Sequence, residues 1–144
     1  MAPTEADLIA PVRRYLDVLR NLDAERRRDI PALLALLHDD IAYHIPFLET
    51  PAAWHGKAEL EPFFQSMQGL FEDVRYAIHG EFVDIARQTV WIEMTSSRRV
   101  MPQGLVYENA YAMAFTLRDG LIVSLREYVN PLPARELSRR LKLG

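Results

Sequence analysis

The acidic side chains in the second half of the chain carry its clearest chemical signal. If residues 121–129 form a strand, Glu127 shares one face with Leu125 and Val129. A carboxylate among aliphatic side chains is costly unless it is paired, hydrogen-bonded, protonated or beside a cavity. Each of these situations shifts its pKa, and a carboxyl with a shifted pKa in a pocket can serve as a general acid or base. The structural alternative is a wet strand end or an ion pair with an arginine.

Glu93 is the second acidic candidate, in a predicted strand over residues 89–97. It shares a face with Trp91 and Thr95, and alternation does not say which face points inward. Glu93 is thus a weaker acid–base candidate than Glu127. The alternative is a solvent-facing strand acid.

Two tyrosines are candidate hydrogen-bond donors. Tyr15 lies beside the apolar stripe of a predicted first helix, and a buried tyrosine hydroxyl needs a partner. Tyr43 and His44 precede a proline-containing loop over residues 46–56, which also contains Trp54. These residues are predicted either to line the mouth of a cavity or to pack as ordinary core and surface side chains.

Composition excludes several other chemistries. The chain has 144 residues and no cysteine, so disulfides, thiolate metal sites and a cysteine nucleophile are ruled out. Its four histidines have no metal-ligand spacing, and phosphate-binding loops and a Gly-x-Ser-x-Gly motif are absent. We therefore expect neither a metal nor a cofactor.

Charge and hydropathy narrow the range of partners. Seventeen basic residues against 20 acidic ones give a net charge of −3, which argues against nucleic-acid binding. No apolar run approaches the ~18 residues of a membrane span, and the N-terminus lacks a signal-peptide layout. We expect a soluble, cytoplasmic protein with no membrane partner.

The order of predicted elements indicates an α+β fold in one domain, residues 1–144. Residues 1–37 are predicted to be mainly helical, with Thr4 and Asp7 forming a capping box. A short strand over 41–45, the loop 46–56 and a third helix over 57–71 follow. From residue 74 to 129 the pattern predicts antiparallel strands, including a tight turn at Asp119-Gly120. A short terminal helix is predicted over 134–141.

The predicted strand over 105–117 has two unlike faces. One carries large residues, namely Tyr107, Asn109, Tyr111, Met113, Phe115 and Leu117. That face suits a core or the wall of an apolar pocket. The other face has three alternating alanines, which permit close approach of a helix, a second sheet or another copy of the chain. We expect a homodimer through the sheet.

Several stretches resemble the nuclear transport factor 2-like superfamily. They are residues 39–46 (DDIAYHIP), a helix that starts after Gly56, and residues 125–131 (LREYVNP) at the end of a long strand. The superfamily includes ketosteroid isomerases, SnoaL-type polyketide cyclases, limonene-1,2-epoxide hydrolases and the phenazine-biosynthesis A/B proteins. The resemblance implies a cystatin-like α+β barrel. Its cone-shaped, mixed but mainly antiparallel sheet would wrap around N-terminal helices and an apolar pocket.

The resemblance also implies roles for particular residues. Residues 91–93, 106–109 and 126–130 look like phenazine A/B motifs, and Glu127 falls on the proposed acid of that group. Against the epoxide hydrolases, Tyr43 falls on the water-holding tyrosine, and Glu93 and Glu127 fall on the two catalytic aspartates. In that comparison Trp91 stands where the epoxide hydrolases have an arginine, and Ile45 stands where they have an asparagine.

Against ketosteroid isomerase, Tyr15 matches a tyrosine of the first helix. Ile45 and Met113 replace the two aspartates of that enzyme. The site predicted from residues and resemblance together therefore has Glu127, Glu93, Tyr43 and Tyr15 as catalytic candidates. The predicted substrate contacts are Trp91, Asn109, Tyr111, Met113, Ile45, His44 and Trp54.

These observations predict a cofactor-free acid–base enzyme acting on a small hydrophobic metabolite by isomerisation, cyclisation or condensation. Epoxide hydrolysis, with Glu93, Glu127 and Tyr43 holding a water molecule, is one alternative. A non-catalytic ligand-binding or dimerisation module is the other, in which Glu127 makes only a structural pair. An open cavity touching Glu127 would favour an enzyme, and a filled cone would favour the module.

Overall fold

The computed structural model describes residues 2–143, which form helices packed on one curved sheet. The helices are α1 (Glu5–Arg20), α2 (Ile30–Ala35), α3 (Lys57–Ser66) and α4 (Pro131–Leu143). The strands are β1 (Leu37–Ile45), β2 (Ala52–His55), β3 (Phe71–Asp84), β4 (Thr89–Val100), β5 (Leu105–Arg118) and β6 (Leu121–Val129). The predicted α+β class is confirmed.

The sheet has the strand order β2-β1-β6-β5-β4-β3. All neighbouring strands are antiparallel except β1 and β6, which are parallel. Helix α1 contacts β3, β4 and β6, so it covers one face of the sheet. That inner face and α1 enclose the core. None of the helices within residues 2–143 is long and apolar enough to cross a lipid bilayer.

Local sequence signals explain where several elements begin. The Thr4 hydroxyl accepts a hydrogen bond from Asp7 N at 3.2 Å, and Asp7 Oδ2 accepts one from Thr4 N at 2.8 Å. This confirms the predicted capping box of α1, whose buried stripe is Leu8, Val12, Tyr15 and Leu16. Asp29 caps α2 by accepting from Ala32 N at 3.1 Å.

Strand β6 has its predicted bounds, but the alternation of inward and outward side chains is interrupted within it. Leu125 and Val129 are buried on the inner face, and Glu127 alternates with them as predicted. A register irregularity opposite Thr116 and Leu117 shifts the alternation earlier in the strand. Ile122 therefore points inward, whereas unbroken alternation with Leu125 would turn Leu121 and Val123 inward.

Other boundaries differ from the sequence prediction. The third helix ends at Ser66 instead of residue 71, since Gly69 adopts φ +79° in the turn that leads into β3. The loop 46–56 contains strand β2, which pairs with β1. Helix α4 begins at Pro131, because proline is tolerated in a first helical turn.

The outer face of the sheet carries the predicted alanines of β5. Ala110 is exposed and Ala114 is fully buried. Ala114 is the cross-strand neighbour of Trp91 on β4 and of Arg126 on β6, whose side chains lie on the same face. The Arg126 guanidinium carbon lies 5.5 Å from the centroid of a Trp91 ring. These neighbours cover Ala114 within one chain, and homodimerisation through this face stays a prediction.

Candidate active site

A cavity of about 410 Å³ lies between the inner face of the sheet and helices α1 and α3. Its wall is mainly aliphatic and aromatic, which is typical of sites for small organic molecules. Of the predicted catalytic candidates, Glu127, Tyr43 and Tyr15 line it. Of the predicted substrate contacts, Ile45, Trp54, Tyr111 and Met113 line it.

Glu127 enters the cavity from β6, between the buried residues Leu125 and Val129. Its Oε1 accepts a hydrogen bond of 2.8 Å from the Tyr43 hydroxyl. Burial raises the pKa of Glu127, because a carboxylate surrounded by protein loses its hydration. The hydrogen bond from Tyr43 and the positive charge of Arg98 act in the opposite direction without cancelling that effect. The site thus shifts the ionisation equilibrium of this carboxyl toward its protonated form.

Tyr43 reaches Glu127 because β1 and β6 pair in parallel, with Tyr43 opposite Leu125. Burial, followed by the charge of Glu127, raises the pKa of Tyr43 well above its ordinary value, so the phenol stays a donor. Its ring packs edge-on against Trp54 at 5.3 Å, and Trp54 in turn contacts Phe63 at 4.2 Å between ring centroids. These aromatic contacts hold the donor in place beside the carboxyl.

Tyr15 presents a second phenol to the cavity from α1. It is buried, with its ring edge-on to Phe115 at 5.7 Å. Burial raises the pKa of Tyr15, so it also remains a neutral donor at neutral pH. Among residues 2–143 its hydroxyl has no hydrogen-bond partner, and it is therefore free to bind a guest molecule.

Glu93 and Trp91 lie on the outer face of the sheet, so the predicted placement of both in the pocket is wrong. Strand β4 points its aliphatic residues Val90, Ile92 and Met94 inward, which turns Glu93 to the exposed side. Trp91 stacks on Tyr128 across that outer face, with ring centroids 6.0 Å apart. The expected pair of carboxyls facing each other in the cavity does not form.

Asn109 and His44 are also outside the cavity wall. Asn109 is buried on the inner face of β5, but its amide donates to Tyr107 Oη at 2.7 Å and to Asn130 O at 2.9 Å. Its polar group is thus used to tie β5 to the end of β6. His44 is exposed, because it alternates with the buried Tyr43 and Ile45 on β1. The prediction that either contacts substrate is not supported by this geometry.

Arg28 and Arg98 also line the cavity. Neither of them was predicted from the sequence as a site residue. Arg98 continues the inward alternation of β4 beyond Ser97, where the predicted strand ended. Arg28 belongs to the charged stretch 23–29 between α1 and α2. Its Nε donates to Leu19 O at 2.8 Å, and this bond turns the side chain inward. A longer prediction for β4 would have placed Arg98 on the inner face, whereas no sequence pattern indicated Arg28.

A comparison with family profiles matches residues 12–125 to the SnoaL-like domain. The match covers most of the chain. The chain belongs to the SnoaL-like domain family. The resemblance to the nuclear transport factor 2-like superfamily is thereby confirmed. A comparison with curated protein sequences gave no match.

Solved structures similar to this SnoaL-like chain come from proteins with different activities. An epoxide hydrolase of M. tuberculosis, described as LEH-like, has 24% identity and a TM-score of 0.74, over 94% of this chain and 87% of that one. The BvnE pinacolase from Penicillium brevicompactum has 16% identity and a TM-score of 0.79, over 98% of both chains. A phenazine biosynthesis-related protein from Pseudomonas aeruginosa has 20% identity and a TM-score of 0.69, over 93% and 84%. At these identities the likeness shows the fold alone.

The acidic and imidazole side chains of this SnoaL-like domain are dispersed. Within the described range, no three His, Asp or Glu side chains lie close enough to hold a metal ion together. Glu127 is the one carboxyl among the residues that line the cavity. Acid–base chemistry at this site would therefore have to run through a single carboxyl group and the tyrosines around it.

Proposed function

We propose that this protein is a cofactor-free acid–base enzyme that isomerises, cyclises or condenses a small, largely apolar substrate in the cavity. The observation that carries the proposal is Glu127, a carboxyl with a raised pKa that lines an apolar cavity and is hydrogen-bonded to Tyr43. A carboxyl whose pKa lies nearer to neutral pH serves both as acid and as base. In this protein, burial of Glu127 raises its pKa in that direction.

In this mechanism Glu127 acts as a proton shuttle. It donates its proton to one atom of the substrate and recovers a proton from another, so that it ends each cycle as it began. While Glu127 is ionised, the Tyr43 hydroxyl stabilises the carboxylate through its 2.8 Å hydrogen bond. The free Tyr15 hydroxyl is the candidate donor to an oxyanion that develops on the substrate.

Epoxide hydrolysis is less well supported by the arrangement of side chains. The resemblance to epoxide hydrolases required two acids around one water molecule, and Glu93 is exposed on the outer face. Glu127 and Tyr43 are in place, but the second acid of that arrangement is missing from the cavity. A single shuttling carboxyl fits isomerisation or cyclisation better, because neither reaction consumes water.

The proposal is tested by incubating the protein with a panel of cyclic ketones, enones and epoxides in D₂O and separately in H₂¹⁸O. We expect deuterium to enter carbon next to a carbonyl, detected by NMR, without incorporation of ¹⁸O. Formation of an ¹⁸O-labelled diol would instead indicate epoxide opening. Tight binding of panel members with no exchange and no conversion would indicate the non-catalytic module.

Tyr43→Phe is expected to raise the pKa of Glu127 further. The substitution removes the hydrogen bond that favours the carboxylate, while the burial that disfavours it remains. The acidic limb of the pH–rate profile should move to higher pH, and turnover near neutral pH should fall by roughly 10-fold, as for loss of one hydrogen bond to a charged group. An unchanged profile in folded Tyr43→Phe would show that the bond does not act on the reacting carboxyl.

A further inference from the structure

Two guanidinium groups occupy the same end of the cavity. Arg28 enters from the connection between α1 and α2, and Arg98 enters from the inner face of β4. Their guanidinium carbons lie 5.6 Å and 4.9 Å from the centroid of one ring, that of Phe71. A cavity with a mainly apolar wall thus has two positive charges beside one aromatic side chain.

Neither cation has an acidic partner in the described part of the chain. No carboxylate within residues 2–143 lies within 4.0 Å of the charged nitrogens of Arg28 or Arg98. A terminal nitrogen of Arg98 donates to Ser96 Oγ at 3.2 Å, while its Nε is buried and has no hydrogen-bond partner in the described chain. Both arginines are half-buried, and a partly desolvated guanidinium without a counter-charge favours binding of an anion.

Glu127 does not supply the missing negative charge. It is the only acidic side chain among the cavity-lining residues, and neither of its oxygens lies within 4.0 Å of a charged nitrogen of Arg28 or Arg98. It also enters at another level of the sheet. Glu127 lies opposite Met113, which lies opposite Ile92, and Arg98 follows Ile92 by six residues along β4. Strand residues rise about 3.3 Å each, so the two side chains start from different levels of the sheet, although Arg98 is near enough for its charge to lower the pKa of Glu127.

We propose that Arg28 and Arg98 form a carboxylate-binding subsite, and that the substrate is a small apolar carboxylic acid whose reactive part lies at Glu127. The planar fork of a guanidinium matches the two oxygens of a carboxylate. The aromatic wall between the two ends fits an apolar body, and about 410 Å³ suits a small molecule. This inference rests on the proposed function for the reaction at Glu127, and on the arginines alone for the binding of the anion.

The test compares two probes of nearly the same shape, 2-naphthoate and 2-naphthamide, by isothermal titration calorimetry at neutral pH. We expect the wild type to bind the carboxylate roughly 10- to 100-fold more tightly than the amide, the range for a charge-assisted hydrogen bond. Arg98→Met and Arg28→Met should each lose most of that preference. Arg99→Met and Arg27→Met alter exposed neighbours of the same type and should retain it.

A structural role for the arginines would give a different result. If they only support Phe71, the wild type will bind both probes equally, or the preference will survive in the folded methionine variants, and either result overturns the proposal. Circular dichroism verifies folding. Should Arg98→Met fail to fold, Arg98→Lys retains the charge without the fork, and we expect an intermediate preference.

The binding test is independent of turnover. Glu127→Gln leaves the arginines in place and should keep the preference for 2-naphthoate. Selective binding in the absence of any exchange or conversion would support the carboxylate subsite while removing the proposed acid–base reaction. If the protein converts neutral substrates but binds the two probes equally, the carboxylate subsite is refuted and the proposed reaction is retained.

Discussion

Glu127→Gln is expected to lower turnover by about 10²–10⁴-fold, the range attributed to a positioned general acid or base. Glutamine has nearly the same shape and can accept the 2.8 Å hydrogen bond from Tyr43, but it cannot transfer a proton. The measurement is the rate of deuterium exchange or product formation with whichever panel compound the wild type converts. Wild-type turnover by a folded Glu127→Gln protein would refute the proposed mechanism.

Glu93→Gln is the matched control for that experiment. It makes the same chemical change on the neighbouring part of the sheet, but at a side chain exposed on the outer face. We expect its turnover to match the wild type. A loss comparable to that of Glu127→Gln would mean that Glu93 takes part in the reaction after all, as the resemblance to the epoxide hydrolases implied.

The same variant has a predictable effect on stability. The pKa of Glu127 in the folded chain lies above that of an unfolded glutamate, about 4.3. Its contribution to stability is therefore fully present below that pH and decreases as pH rises through the folded-state pKa. Glu127→Gln has no such decrease. We expect it to match the wild type near pH 4 and to resist urea better near pH 7, and a loss of stability at pH 7 would indicate an ionised, structurally paired Glu127.

Phe115→Ala is expected to lower the free energy of unfolding by about 3–5 kcal/mol, as for other buried phenylalanines. Phe115 is fully buried on β5, between Val90 of β4 and Leu125 of β6. Its ring supports Tyr15, which lines the cavity. The substitution should leave a void in the core and loosen that tyrosine, a large effect for a domain whose total stability is about 5–15 kcal/mol.

Phe82→Ala is the control for the core prediction. Phe82 has the same side chain but is 57% exposed on β3. We expect it to change the free energy of unfolding by less than about 1 kcal/mol. Urea unfolding followed by tryptophan fluorescence measures both variants. Equal effects of the two substitutions would contradict the assignment of Phe115 to the centre of the core.

Much of the fold could be predicted because its signals are local. The capping box at Thr4 depends on two residues three positions apart. The turn between β5 and β6 depends on Asp119 and Gly120, which both adopt positive φ, as the predicted tight hairpin turn requires. Glu127 could be placed on the inner face because it alternates with Leu125 and Val129.

The rest of the site depends on contacts that no short segment specifies. Alternation left open which face of β4 points inward, and the resemblance to epoxide hydrolases favoured the side of Glu93. The aliphatic residues of the other face decided the orientation by packing into the core. Arg28 is a stronger case, since it reaches the cavity through a hydrogen bond to Leu19 O, which nothing in the pattern of the charged stretch indicates.

The account depends on the protonation of one carboxyl group, which ¹³C NMR of protein labelled at the glutamate carboxyl carbons measures directly. Glu127→Gln assigns the Glu127 signal by its disappearance. We predict that this signal titrates at clearly higher pH than the ordinary value for a glutamate, about 4.3, because burial opposes its ionisation. A Glu127 carboxyl that titrates at or below that ordinary value would contradict the account.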